Sequence, residues 1–382
     1  MASDAQPDQD QDKAPPLGLA GNTARMFIQS PLSPLLFFAM LAMGVLGLML
    51  TPRQEDPQIS VPLIDIFLSY PGASAEQVAA RAVEPLERIM SEIPGIKHVY
   101  SASQREGGVV TVRFKVGEEA GPSLVKVHDK LQSNLDRIPT GVKLPLVKAK
   151  GIDDVPILSL TLWSATLDGG ELRKLAVNIQ QSLNQVPDVG QSFLVGGRAE
   201  QIRIDVQPDR LAGYDVTLDQ VASTIRSANS EAGVGAVEKD NHQLAVYAGG
   251  YLRTPDDVGS LVIGTRKGVP VYVRDIARVY SGLEDPRYLV SYTTGPAYEE
   301  AHGEAQEAYG EQAVTIALAK KQGSNAVSVV AALLDKVETL KGLIIPEGVH
   351  IEITRNYGES AEEKVNELLF KLVVATLIVT VL

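Results

Sequence analysis

From Met26 to Pro52 the chain carries no charged side chain, and Leu35 to Leu50 is almost continuously apolar. About 20 such residues cross the hydrocarbon layer of a bilayer, so the pattern predicts a membrane helix over residues 25–52. A cleaved signal peptide would instead need a basic leader, a shorter apolar core and a small-residue cleavage site. Here residues 1–24 are acidic (Asp4, Asp8, Asp10, Asp12) and rich in Gln and Pro, and Thr51-Pro52-Arg53 follows the apolar run. That composition predicts a disordered tail. Leu368 to Leu382 begins a second apolar helix with Lys371 near its start. It is shorter than a span requires, so residues 356–382 read as a linker and the truncated start of a second membrane helix, and the sequence reads as a fragment. Residues 53–367 then lie on one side of the bilayer. Arg25 balances Arg53, so flanking charge does not orient the span.

Between the two apolar segments the period switches repeatedly between 2 and 3.6. Val61 to Tyr70 predicts a strand ending at Pro71-Gly72, after which Ser74 and Gln77 form a capping box. Val78, Ala82, Leu86, Ile89 and Ile93 follow at helical spacing, with a kink expected at Pro85 and a stop at Pro94-Gly95. Ile96 to Ser103 reads as a strand, and Val110, Val112, Phe114 and Val116 alternate with polar residues as another. Leu124, His128, Leu131, Leu135 and Ile138 make a second helical stripe, and Val142 to Val147 closes the unit as a fourth strand. The order β-α-β-β-α-β over 53–150 is the ferredoxin-like split unit.

The same order restarts over 151–196, with a strand at Pro156 to Trp163, a helical face at Leu172, Leu175, Ile179, Leu183 and Val186, and a strand at Phe193 to Val195. Its second half comes only at 285–355: Ala313 to Ala319, a stripe at Val327, Val330, Leu334 and Val337, and Val349 to Thr354. The interruption, 197–284, reads as a small α+β module of its own, with Ile202, Ile204 and Val206 alternating and Leu218, Val221 and Ile225 on a helix. Tyr292 to Tyr309, rich in Gly, Glu and Tyr, reads as an exposed loop. The predicted fold class is therefore α+β with transmembrane helices, a repeat of one supersecondary unit whose second copy is interrupted.

Charge and composition narrow the chemistry. With 35 Lys+Arg against 47 Asp+Glu and a net charge of −12, the chain lacks the basic footprint of a nucleic-acid binder. Without cysteine there is no disulfide, thiolate metal site or cysteine nucleophile. The five histidines are scattered without ligand spacing, and His128, on an apolar stripe, reads as a core histidine. Met40, Met43 and Met49 lie in the first apolar helix, where Met40 and Met49 fall on opposite faces and read as packing residues. Ser123 and Lys126 match the Ser-x-x-Lys spacing of penicillin-recognising enzymes without its companion motifs. No nucleophile elbow or phosphate loop occurs, and Gly196-Gly197-Arg198 reads as a turn. Asp153-Asp154 and Asp256-Asp257 read as solvated loop carboxylates. No catalytic, metal or cofactor-binding residue emerges, and the chain does not read as an enzyme.

Ala24-Arg-Met-Phe-Ile-Gln-Ser-Pro31, Glu55-Asp-Pro57, Tyr70-Pro-Gly-Ala-Ser-Ala-Glu76, Glu84-Pro-Leu-Glu87 and Ile93-Pro-Gly95 occur in this order, followed by Lys130-Leu131, Gly196-Gly197 with Gln201-Ile-Arg203, Arg274-Asp275-Ile-Ala277 and Ala313-Val-Thr315. Together they resemble the N-terminal third of a resistance-nodulation-division (RND) efflux permease of the hydrophobe/amphiphile type, over about residues 24–382. The resemblance implies that the two repeats are porter subdomains and that 197–284 is a docking subdomain. It places 53–367 in the periplasm, at the bacterial inner membrane. It also implies a homotrimer in the lipid bilayer, proton antiport through carboxylates on other helices, and a periplasmic adaptor and outer-membrane channel as partners. Small-molecule substrates, including xenobiotics, would meet Val155, Ile157, Phe193 and Val195 on strands of the second repeat, with Asp285, Arg287 and Tyr288 on the return from the docking module. Val155 and Val195 are aliphatic where some multidrug members carry phenylalanine, and Gly233 to Tyr247 is short against the long arm of trimeric drug pumps. Heavy-metal ion efflux is the neighbouring alternative within the family. A two-helix periplasmic sensor or docking protein is the alternative of another class.

Overall fold

The computed structural model describes residues 18, 21, 27–28, 30–54, 61–239, 242–286, 288–295, 298 and 308–381. The chain divides into two units, Met1–Arg53 and Gln54–Leu382. In the first, Ser33–Leu50 forms helix α1, apolar on every side, with Pro34 in its first turn, where the missing N–H costs nothing. At 1.5 Å per residue it is about 27 Å long, against the ~30 Å of a hydrocarbon core. Among the described residues no helix is long and apolar enough to cross a membrane. The predicted span over 25–52 is thus described as this shorter helix. Apart from Gly18 and Gly21, the predicted tail at 1–24 lies outside the described residues.

The second unit holds two sheets built alike. In the first repeat, β1 (Leu63–Ser69), β2 (Ile96–Gln104), β3 (Gly107–Phe114) and β4 (Leu146–Lys150) lie in the order β2-β3-β1-β4, and β1 is antiparallel to both neighbours. Ile64, Ile66 and Leu68 alternate inward on β1, as do Val110, Val112 and Phe114 on β3. Against that face pack a helical run, α2 (Ala75–Val78) to α3 (Glu84–Ser91), and α4 (Ala120–Gln132). Each fully buried aliphatic side chain contributes roughly 1.5–3 kcal/mol. The predicted capping box is present: the Gln77 N–H donates to Ser74 Oγ at 3.3 Å and the Ser74 N–H to Gln77 Oε1 at 3.0 Å.

Several expectations are corrected here. The disturbance expected at Pro85 takes the form of a change of helix winding just before it. A π-helical turn, Ala79–Val83, precedes it, and the Glu84 N–H bonds back to the Ala79 carbonyl. Widening the turn absorbs the missing N–H and relieves the clash a proline ring makes with the carbonyl four residues back. On α4 the buried positions are Ser123, Val127 and Leu131, so His128 is exposed rather than a core histidine. Val127 is the stronger apolar group, and the helix turns to bury it. Val116 is 67% exposed beyond the end of β3, and the fourth strand begins at Leu146, not Val142.

The second repeat comprises β5 (Leu158–Trp163), α5 (Gly169–Leu183), β6 (Val189–Gly196), β14 (Tyr309–Lys320), α10 (Ala326–Leu340) and β15 (His350–Asn356). Its order is β6-β14-β5-β15, with β14 pairing both β5 and β6, and a fifth short strand, β13 (Ser291–Thr293), pairs with the start of β14. First, second, third and fourth strands thus sit as in the first repeat. Leu158, Leu160 and Leu162 on β5 and Val314, Ile316 and Leu318 on β14 face α5 and α10. At the turn into the inserted module Gly196 and Gly197 have φ of +85° and +68°, and a Cβ on Gly197 would stand 2.8 Å from Arg173 Cβ and 2.9 Å from the Gly169 carbonyl oxygen. Only glycine fits there.

The inserted segment has its own small core: Val221 of the helix Leu218–Ala228 with Val258, Val271, Val273 and Ile276. Leu218, expected on the buried stripe, is 62% exposed at the first turn. Strands β7 (Glu200–Val206) and β12 (Ala277–Leu283) pair at its base. Between them, β8 (Ser230–Lys239) and β9 (His242–Gly250) pair along their whole length as a two-stranded arm, with β9 exposed throughout. Three of the four paired carboxylates are bonded rather than merely solvated, while Asp256 is exposed. Asp153 accepts from Lys320 Nζ at 2.8 Å, Asp154 from the Gly151 N–H at 2.8 Å, and Asp257 from the Arg253 and Thr254 N–H groups. The chain closes with α11 (Tyr357–Val381), whose first turns carry Glu359, Glu362, Glu363, Lys364 and Glu367, so its apolar part begins only at Leu368.

Candidate functional site

With α5 and α10 on one face of the second sheet, alternation sends every other side chain of its strands to the opposite face. There Val195, Thr315, Thr161 and Glu352 lie in one row across four strands. Phe193, Ala317 and Ser159 form the next row on one side, and Ala313, Trp163 and His350 the next on the other. Thr161, only 4% exposed, shares hydrogen bonds with Thr315 at 2.9 Å and Thr354 at 3.0 Å, so the buried hydroxyls satisfy one another. A bulge between Ile353 and Arg355 keeps Thr354 on this face, while the Arg355 guanidinium lies 4.9 Å from the centre of the Tyr357 ring.

The face runs from apolar at one edge to acidic at the other. On β6, Phe193 and Val195 are 44% and 36% exposed. At the β15 edge, Glu352 accepts from the Tyr298 hydroxyl at 2.9 Å. Burial, with that hydrogen bond, pushes the Tyr298 hydroxyl up to about 12, so it stays a donor across physiological pH. Burial likewise raises Tyr292, helped by the charge of Glu352. Trp163 is buried between Tyr292 (ring centroids 5.5 Å apart) and His350 (4.4 Å), and its indole N–H has no acceptor among the described residues. Tyr292 is therefore packed, not part of an exposed loop. Of the predicted loop at 292–309, residues 296–297 and 299–307 lie outside the described residues.

Of the seven residues singled out in sequence, the structure brings Phe193 and Val195 together on this face. Ile157 points into the core beneath α5 and α10. Val155 follows the turn Ile152–Asp154 and lines a cleft of about 670 Å³ with Phe67, Lys148 and Gln191. Asp285 bonds Arg203 at 2.9 Å, and that guanidinium holds its carboxyl below the usual aspartate range while Arg203 is raised in turn. Tyr288 is 72% exposed, and Arg287 lies outside the described residues. Sequence reasoning missed Thr161, Trp163, Thr315, His350 and Glu352. The signal was present in the alternation Leu-Ser-Leu-Thr-Leu-Trp at 158–163 and His-Ile-Glu-Ile-Thr at 350–354. The near-match at Ser123 and Lys126 has no catalytic geometry: Ser123 Oγ is buried without a partner among the described residues, and Lys126 pairs with Glu118 at 3.0 Å. Among the described residues no group of three or more His, Cys, Asp or Glu could hold a metal ion.

Two copies of one split unit, the second interrupted by an inserted α+β module, define a repeat-built scaffold. The chain belongs to the AcrB/AcrD/AcrF family of RND permeases, whose sequence profile matches residues 23–382. It is 30% identical to the multidrug resistance protein MdtC of Edwardsiella ictaluri over 92% of the chain and 33% of that protein. It is 32% identical to the cation efflux system protein CusA of Escherichia coli K12 over 87% of the chain and 30% of that protein. With MdtC of Proteus mirabilis the identity is 27%, over 87% of the chain and 31% of that protein. The chain thus spans about a third of the length of these relatives.

Proposed function

We propose that this chain is the N-terminal part of an inner-membrane efflux permease that exports hydrophobic and amphiphilic compounds by proton antiport. In this reading 53–150 and the pair 151–196 with 285–355 are the first two porter subdomains, and 197–284 is the docking subdomain. The apolar segments at 25–52 and 368–382 belong to the bilayer, and 53–367, which includes the linker from 356, stands in the periplasm. The permease works as a homotrimer with a periplasmic adaptor and an outer-membrane channel, and the exposed arm β8–β9 is suited to engage a neighbour. The segment from Met26 to Pro52 has no ionisable group, so it supplies none of the intramembrane carboxylates that proton coupling needs.

One observation supports the reading: at the β6 edge of the second sheet's helix-free face, Phe193 and Val195 are 44% and 36% exposed. Such a surface offers apolar area with few fixed hydrogen-bond demands, which suits substrates of varied shape. In this reading Val155, Ile157, Tyr288, Asp285 and Arg287 also belong to the substrate path. A cation-efflux role is supported by the likeness to CusA. Against it, soft metals select thioether and thiolate ligands, the chain has no cysteine, and the sole methionine of residues 54–382 is Met90, fully buried in the first core. The test is expression of the complete permease in a bacterium stripped of efflux pumps. Export of an amphiphilic dye, lost on Phe193→Asp, supports the proposal. Copper or silver tolerance with unchanged dye accumulation refutes it in favour of metal efflux.

A further inference from the structure

Two strand edges border one cleft. The first sheet ends at β4 and the second at β6, so each of these strands is paired on one side only. Lys148, Ala149 and Lys150 of β4, Val155 of the connector and Gln191 of β6 line the same opening of about 670 Å³. Among the described residues no main-chain bond from outside the sheet reaches residues 146–150. Such an edge is a row of backbone donors and acceptors that can take one more strand. We propose that β4 takes an extended segment of a partner protein by strand addition, and that the segment alternates acidic with apolar residues.

The side chains along the edge set that pattern. Leu146, Lys148 and Lys150 lie on the helix-free face, Lys148 in register with Asp65 and Lys150 with Leu63, while Val147 and Ala149 alternate to the other side. Lys150 already pairs with Asp65. Lys148 has no carboxylate partner among the described residues, and its ammonium lies 5.9 Å from the centre of the Phe67 ring. Asp154, which also lines the cleft, accepts from the Gly151 N–H at 2.8 Å. A strand laid beside β4 brings alternate residues next to Lys148 and the others next to the exposed Ala149. Lysines on an edge repel strands of like charge and admit one that carries the opposite charge. At the same opening β6 offers the uncharged Gln191, so selection by charge belongs to β4. Pairing of backbone with backbone does not depend on which compound the permease exports, so this inference stands apart from the export reading.

Two short peptides test it, one alternating Glu with Val and its twin alternating Lys with Val, each blocked at both ends and carrying a fluorescent label. Each is titrated into the 382-residue chain in mild detergent while fluorescence anisotropy is followed. The expected result is saturable binding of the Glu peptide, roughly tenfold tighter than that of the Lys peptide. Hydrogen exchange at residues 146–150 slows in the complex. Methylating the backbone nitrogens of the Glu residues, or in a separate peptide those of the Val residues, blocks one edge at a time, so one methylated form loses binding and the other keeps it. Lys148→Gln brings the Glu and Lys peptides within about threefold of each other, and its unchanged far-UV spectrum and Trp163 emission show that it folds. Equal binding of the two peptides, or a preference that survives Lys148→Gln, overturns the charge pattern. Equal binding of the two methylated forms overturns strand addition, and no saturable binding of either parent peptide overturns the whole inference. Protection of 146–150 that rises with chain concentration, and not with peptide, assigns the edge to a second copy of the chain and overturns it as well.

Discussion

The ion pair between Lys320 and Asp153 ties the connector of the two repeats to the end of β14, and its removal should be strongly asymmetric. Lys320 Nζ lies 2.8 Å from Asp153, with side chains 5% and 18% exposed. Asp153→Ala takes the partner from an ammonium that remains buried, a change that costs about 3–5 kcal/mol. Lys320→Met instead removes the buried charge and keeps an unbranched chain of similar length. Asp153 then retains its partial access to water, so this loss should stay near 1 kcal/mol. The double variant should recover much of the loss, giving a coupling of about 1–3 kcal/mol. Urea unfolding followed by Trp163 emission reads the second repeat directly, because Trp163 belongs to β5 of that repeat. With a slope of about 2 kcal/mol per molar urea, Asp153→Ala should lower the midpoint by roughly 1.5–2.5 M and Lys320→Met by about 0.5 M. Equal shifts for the two single variants, or a shift under about 0.5 M for Asp153→Ala, would mean that water screens the pair and that the connector is not held by it.

Gly197→Ala should lower the same urea midpoint by the equivalent of about 2 kcal/mol or more, since φ is +68° and the added carbon meets backbone at 2.9 Å; no shift would refute the left-handed turn. Ser74→Ala should lose about 1 kcal/mol of helix-start stability, seen as faster hydrogen exchange confined to the first turns after residue 74; uniform exchange across the repeat would count against a local cap. Asp257 is held below the ordinary 3.8, first by the Arg253 N–H and then by the Thr254 N–H and hydroxyl. A depressed carboxyl contributes stability that is present above the ordinary value and lost as pH falls through the folded one. Calorimetric unfolding should therefore show wild type more stable than Asp257→Asn at pH 7, with the two converging at pH values below 3.8; a constant difference down to acid pH would refute it.

The split-unit order was legible because each element declares its period over several turns. Leu172, Ile179 and Leu183 or Val110, Val112 and Phe114 offer one self-consistent buried face, and the structure buries them. Errors arose where two apolar residues competed for one helix face. On α4 the stripe through Leu124 and Leu131 admits either Val127 or His128, and spacing does not choose between them, whereas transfer energy favours valine. Pro85 was legible as a disturbance but not as a π turn, because the sequence marks the lost N–H and not which neighbouring turn will widen.

The helix-free face of the second sheet was hidden for a different reason. Searching for chemistry along the chain favours clustered ligands and nucleophiles, whereas this face is assembled from single residues on β5, β6, β14 and β15, as far apart in sequence as Thr161 and Glu352. Thr161 and Thr315 each lie between two core residues of their own strand, so their side of the face is fixed once the core is fixed. A strand whose odd positions are buried under helices must commit its even positions to the other side. The first repeat obeys the same constraint: Asp65 sits between Ile64 and Ile66, is 2% exposed, accepts from Thr111 Oγ1 at 2.6 Å and pairs with Lys150. Thr161 with Thr315 and Asp65 with Thr111 are thus the same cross-strand position in the two repeats, polar in both. The first repeat fills that position with a closed ion pair. The second leaves hydroxyls there and sets its charge one strand further out, at Glu352, which accepts from the Tyr298 hydroxyl.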